Sequence, residues 1–169
     1  MFLIGLPKFH GKTNILLQLC RYKMVKVHNC LLKICNGQNS GDMTYVADWY
    51  DSGRLADGFS WPMTIKPGHE SHILNYERDW ALAGCSGYVT YRMFDTDITI
   101  AFSNPSVGNN KLGVGTSGKR VWDYLSDHGY DKFTINVDTS NGKAKLQFDC
   151  KCTGGSTNIC TVNITAHKK

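Results

Sequence analysis

An all-β sandwich carrying one short helix is the fold class this sequence predicts, and three observations predict it. Short stretches of alternating apolar and polar residues recur along the chain, as in Ile98, Ile100 and Phe102 against Asp97, Thr99 and Ala101. Turn-forming residues separate these stretches, and the chain carries 17 glycines and 8 tyrosines. No apolar run reaches the roughly 18 residues that span a bilayer as a helix. With 169 residues, 41% of them hydrophobic, the chain is long enough to bury a core as one domain without cross-links.

The elements follow in order. Residues 1–29 read as a basic arm and residues 30–169 as the sandwich. The net charge of +5 sits in that arm. Residues 1–41 hold Lys8, Lys12, Arg21, Lys23, Lys26 and Lys33 with no acid, while the remaining residues carry 13 basic and 14 acidic side chains. Leu16, Leu19, Cys20 and Met24 fall near one stripe and predict an N-terminal helix over about 13–24. The first strand alternates through Cys30, Leu32 and Ile34 and is closed by a turn at 36–41. Strands are expected over 43–50, 61–65 and 69–76. A central hairpin spans Gly87–Pro105, turning at Phe94–Thr96 and ending at Pro105, which cannot donate to a ladder. The glycine-rich stretch after it reads as a polar loop. Gly118–Asp127 reads as the flanking helix, capped by Thr116 or Ser117 and stopped by Gly129. Strands through Phe133, Ile135 and Val137, through Ala144 to Cys152, and through Cys160 to Ala166 close the domain, with Asn141-Gly142 as a hairpin turn.

Several function classes are excluded by spacing. Gly5-Leu-Pro-Lys-Phe-His-Gly-Lys-Thr13 has five residues between its glycines where a phosphate-binding loop has four, and no alternating βα pattern follows it. Cys150 and Cys152 lie two apart on a strand and point the same way, which suits buried small side chains or a disulfide to the last strand better than a zinc site. Seven cysteines leave at least one unpaired in a monomer. Met1–Leu6 is too short for a signal-peptide core, so none is expected and the compartment stays open. The six histidines sit in no nucleophile–base motif, and Asp123 and Asp127 read as a solvated helix face. No catalytic residue, metal or cofactor is expected. The aromatic residues, among them Trp49, Trp61, Tyr88, Trp122 and Tyr124, suit membrane interfaces and can hold a quaternary ammonium by cation–π attraction.

Gly87-x-Val-x-Tyr-x-Met93, then Ile-Ala-Phe-Ser-Asn-Pro105, resembles the central hairpin of the actinoporins. Asp51-Ser52-Gly53, Trp61-Pro62 and Ile65-Lys66-Pro67-Gly68 fall in the same order as similar features of that group. The likeness covers roughly residues 31–164. It implies an actinoporin-like β-sandwich with a short helix near 118–128, related to sphingomyelin-binding cytolysins, non-lytic sphingolipid binders and fungal fruit-body lectins. Carried over residue by residue, it implies a headgroup site at Ser52, Tyr88, Ser103, Pro105 and Trp122, with Tyr124 a nearby aromatic. The implied partner is a membrane lipid, sphingomyelin or another phosphocholine-bearing lipid, bound peripherally and without nucleic acid; such proteins can oligomerise on membranes. The alternative is a glycan-binding lectin using polar groups around Asn104, Asn109 and Asn110. Cytolysis is expected to be weak at most. The pore-formers carry an aromatic loop after this proline, whereas residues 106–111 contain no aromatic, and the arm lacks their acidic amphipathic pattern.

Because the alternating strands start only near residue 30, a chain beginning at Met24 is expected to stay soluble and unfold cooperatively. Aggregation with loss of the sigmoidal denaturation curve would place the arm in the core.

Overall fold

The computed structural model describes residues 27–78, 83–127 and 132–169. The expected helix over 13–24, the arm up to residue 26, and Gly129 lie outside the described residues.

Eleven strands form two sheets among the described residues. The first holds β1 (Asn29–Asn36), β3 (Arg54–Leu55), β5 (Glu70–Tyr76), β9 (Lys132–Asp138), β10 (Ala144–Lys151) and β11 (Thr157–Lys168). The second holds β2 (Met43–Ser52), β4 (Thr64–Ile65), β6 (Gly84–Met93), β7 (Thr96–Pro105) and β8 (Lys111–Gly115). Their orders are β3-β5-β1-β11-β10-β9 and β4-β2-β6-β7-β8. The sheets stack through one continuous core. β1 and β11 pair in parallel, so the first and last strands lie side by side.

The period-two pattern places the core. Cys30, Leu32 and Ile34 of β1, Leu146 and Phe148 of β10, and Cys160, Val162 and Ile164 of β11 are buried from one sheet. Val89, Tyr91 and Met93 meet them from β6, and Ile98, Ile100 and Phe102 from β7. β7 is buried on its other face too, at Thr99, Ala101 and Ser103, because a short helix lies over it.

That helix differs from expectation. α1 runs only Lys119–Asp123 and continues as a 3₁₀ turn, Tyr124–Asp127. Gly118 is its N-cap and no side chain caps it, so neither Thr116 nor Ser117 has the expected role. Close approach is what holds it on the sheet. A Cβ added at Gly113 of β8 would stand 2.8 Å from Leu125 Cδ2, so a larger residue there would require the Leu125 side chain to shift.

Other elements depart from the sequence reading as well. The polar loop after Pro105 spans only 106–110; β8 follows as an edge strand that buries Leu112 and Val114. The strand expected over 61–65 is reduced to Thr64–Ile65, consistent with Pro62 lacking an N–H for the ladder. The hairpin turn is two residues, Phe94 and Asp95, both left-handed (φ 47° and 63°), and Thr96 already belongs to β7. As expected, β7 ends at Pro105, opposite Gly84.

Among the described residues Cys30, Cys35, Cys85, Cys150 and Cys160 are free thiols, and all of these but Cys35 are buried, as is Cys152. The expected alternative of a disulfide to the last strand is thus not the one adopted. Burial pushes the Cys150 thiol up to about 12, with Asp149 and Cys152 adding to it. Burial likewise raises Cys30, helped by Cys85.

Two buried asparagines tie the sheets together at one end. Asn158 of β11 donates to the carbonyls of Ser103 (2.8 Å) and Lys111 (3.1 Å) in the other sheet. Asn104 of β7 donates back to the carbonyls of Asn29 (2.9 Å) and Ser156 (2.8 Å). Replacing Asn158 by alanine leaves two carbonyls without these donors and is expected to cost about 2–4 kcal/mol. Urea unfolding should show a lower midpoint at unchanged slope, and a midpoint within error of the natural chain would refute the tie.

Candidate functional site

The sheet register assembles a site on the outer face of the five-stranded sheet. Ser52 of β2 pairs with Ser86 of β6, which pairs with Ser103 of β7. Cross-strand partners project to the same face, so three serines form a row across three strands. Two residues along β6, Tyr88 lies opposite Trp49 on one side and Ala101 on the other. A register shift between Tyr50 and Ser52 keeps Trp49 and Ser52 each matched to a partner two apart on β6.

Aromatic rings cover this register. Trp49 and Tyr88 stack with centroids 5.6 Å apart and planes at 28°. Trp122, from α1, meets Trp49 edge-on at 5.0 Å and 75°. Its indole N–H donates to the Ser86 hydroxyl at 2.7 Å, and that hydroxyl donates to the Phe102 carbonyl at 3.4 Å. The helix is therefore pinned to the sheet by its tryptophan, and the ring is fixed in orientation. Lys119 completes the group, its ammonium 5.0 Å from the Trp122 ring and 5.4 Å from the Trp49 ring.

The structure brings most of the sequence-derived residues together. Tyr88 and Trp122 both meet Trp49. Ser52 and Ser103 flank Ser86, and Pro105 follows Ser103 at the strand end. Tyr124 stands apart from them. Half exposed, it lies under Arg120 (5.9 Å) and lines a hollow of about 260 Å³ with Val121, Leu125, Phe133 and Ile135. Sequence reasoning missed Ser86 and Lys119 and left Trp49 among undifferentiated aromatics. Only the β2–β6 register could have singled out Trp49 and Ser86; for Lys119 the signal was its place three residues before Trp122 on a helix.

Two of the three asparagines expected to serve a glycan site are used internally instead. Asn104 is 2% exposed and holds the sheet tie, while Asn110 donates to the carbonyls of Thr153 (2.7 Å) and Gly155 (3.0 Å). Asn109 remains exposed in the loop. Among the described residues, no cluster of histidine, cysteine and carboxylate side chains could hold a metal ion, and no helix is long and apolar enough to cross a membrane.

No family model and no curated protein sequence matches the chain. Solved structures do. It is similar to the lipid-binding protein Nakanori, with a TM-score of 0.63 at 16% identity over 91% of this chain and 78% of that one. It is similar to RahU protein, with a TM-score of 0.58 at 11% identity over 86% of this chain and 99% of the other. The Xerocomus chrysenteron lectin XCL aligns with a TM-score of 0.54 at 13% identity over 82% and 99%. Identities this low show the fold alone: the described residues form a two-sheet β-sandwich with a short helix on the five-stranded sheet, the architecture that the resemblance of the central hairpin implied.

Proposed function

We propose that the chain is a non-enzymatic, peripheral membrane-lipid binder that recognises a phosphocholine headgroup, sphingomyelin being the expected lipid. The observation that carries this reading is the cluster of Trp49, Tyr88 and Trp122 beside the row of Ser52, Ser86 and Ser103. Ring faces attract a trimethylammonium group by cation–π interaction, which strengthens as the group is desolvated. The Ser86 hydroxyl is taken up by Trp122 and the Phe102 carbonyl, which leaves Ser52 and Ser103 as the hydroxyls to donate to phosphate oxygens, with Pro105 at the strand end beside them. Tyr124 enters only as a rim residue, since its ring lies with Arg120. Similarity to a lipid-binding protein of the same fold supports the reading.

Binding without efficient lysis fits the loop after Pro105. Residues 106–109 are exposed and hold no ring; Val107, 89% exposed, is their one large apolar side chain. Such a loop offers little interfacial anchoring.

A second reading, a lectin on the same scaffold, has one observation in its favour besides the similarity to XCL. A polar hollow of about 510 Å³, lined by Arg92, Asp95, Thr96, Asp97, Thr116 and Ser140, lies at the opposite end of the β6–β7 hairpin from the rings. Its hydroxyls and carboxylates suit a sugar, although Arg92 and Asp97 already pair at 2.7 Å.

Co-sedimentation with vesicles separates the two readings. Vesicles containing sphingomyelin should bind the chain, and Trp122→Ala should weaken that binding roughly tenfold, as loss of a buried aromatic anchor does. Glycan-array binding with no vesicle binding would favour the lectin. Dye release is expected to stay low at protein concentrations that saturate the vesicles; strong leakage would make the chain a pore-former.

A further inference from the structure

The ring pair at the site already holds a cation. Lys119 opens α1, and helical spacing sets Trp122 three residues on and Asp123 four residues on against the same side chain. The Lys119 ammonium lies 5.0 Å from the Trp122 ring and 5.4 Å from the Trp49 ring, while the Asp123 carboxylate pairs with it. Trp122 is itself fixed by Ser86, and Trp49 by its stack on Tyr88. A charged side chain is thus seated where two rigid indoles converge.

We propose that Lys119 is an internal surrogate for the headgroup cation: its ammonium occupies the Trp49–Trp122 ring pair, an incoming quaternary ammonium must displace it, and this residue sets the affinity of the site. The inference rests on the headgroup reading for its ligand and on the ring geometry for its mechanism. Lys119 has the properties such a gate needs. Its side chain is half exposed, so it can swing into solvent on its flexible stem without disturbing the fold. Its contacts are also weak individually. A cation–π contact at an exposed position and an i,i+4 ion pair each contribute little, so a ligand with its own cation can outcompete them. Asp123 stays behind when Lys119 leaves and faces the arriving positive charge. A ligand without a cation has no means of compensating for the lost contacts, which makes the same residue a discriminator against neutral headgroups.

The test compares the natural chain with Lys119→Met, which keeps the aliphatic stem and removes the charge. Tryptophan fluorescence is titrated with tetramethylammonium chloride and with phosphocholine, and both proteins are sedimented with sphingomyelin vesicles. Lys119→Met is expected to bind tetramethylammonium and phosphocholine about 3- to 10-fold more tightly, with unchanged thermal unfolding. Equal or weaker binding by the variant overturns the inference. A ligand-free measurement stands beside it: the side-chain methylene protons of Lys119 next to its nitrogen should be shifted upfield by ring currents in the natural chain, and random-coil values there also overturn it. The two proposals fail differently. Vesicle binding of equal strength in both proteins keeps the headgroup reading and removes the gate. Tighter tetramethylammonium binding by the variant, with vesicles bound by neither protein, keeps the gate and removes the headgroup reading.

Discussion

Two buried side-chain amides hold in place the end of this sandwich that carries the candidate site. Where the ladders of the two sheets run out, main-chain carbonyls are turned towards the interior, and a buried carbonyl without a donor costs more than its hydrogen bond would contribute. Asn158 and Asn104 supply those donors in opposite directions, one from each sheet. The amide of Asn158 joins the carbonyls of Ser103 and Lys111, so the ends of β7 and β8 are set relative to β11. Because Ser103 and Pro105 lie on that same end of β7, the tie that stabilises the fold also fixes one wall of the candidate site.

The opposite wall depends on the helix, and the helix depends on glycine and tryptophan more than on its own propensity. Five residues without a side-chain cap form no independent helix. Gly113 lets Leu125 come within contact distance of the β8 backbone, and the Trp122–Ser86 hydrogen bond anchors the first turn over β6. Trp122 therefore has two tasks that a single substitution removes together: it docks α1 and it presents a ring. The cluster sits on paired strands and a docked helix instead of on a mobile loop, an arrangement that keeps rings pre-oriented for a ligand.

Burial on both faces explains why β7 tolerates so few large residues on its outer side. Thr99, Ala101 and Ser103 are small because α1 and its neighbours leave little room above them. Thr99 meets Thr90 of β6 hydroxyl to hydroxyl at 2.9 Å, so even the polar positions there are satisfied within the sheet. Towards Ser103 and Tyr88 the cover of rings takes over, and polar hydroxyls lie next to aromatic faces. The site is the place where the helix cover gives way to rings.

By itself the sequence determined the strands whose apolar residues recur every second position, from β1 through the central hairpin to β11, because side chains alternate across a sheet whatever its neighbours are. It also determined that the central hairpin stops at Pro105, since proline has no N–H to give. Resemblance on local motifs nominated Ser52, Tyr88, Ser103 and Trp122 as candidate site residues. What the tertiary structure decided is pairing and register. β8 was hidden because two glycines and a lysine diluted a pattern that only its pairing with β7 makes plain, and α1 is shorter than its apolar spacing suggested, passing into a 3₁₀ turn at Tyr124. Trp49 and Ser86 join the site through the β2–β6 register, with its shift at Tyr50, and Asn104 passes from candidate ligand to sheet tie. Such facts concern residues far apart in the chain, and no local preference encodes which strand lies beside which.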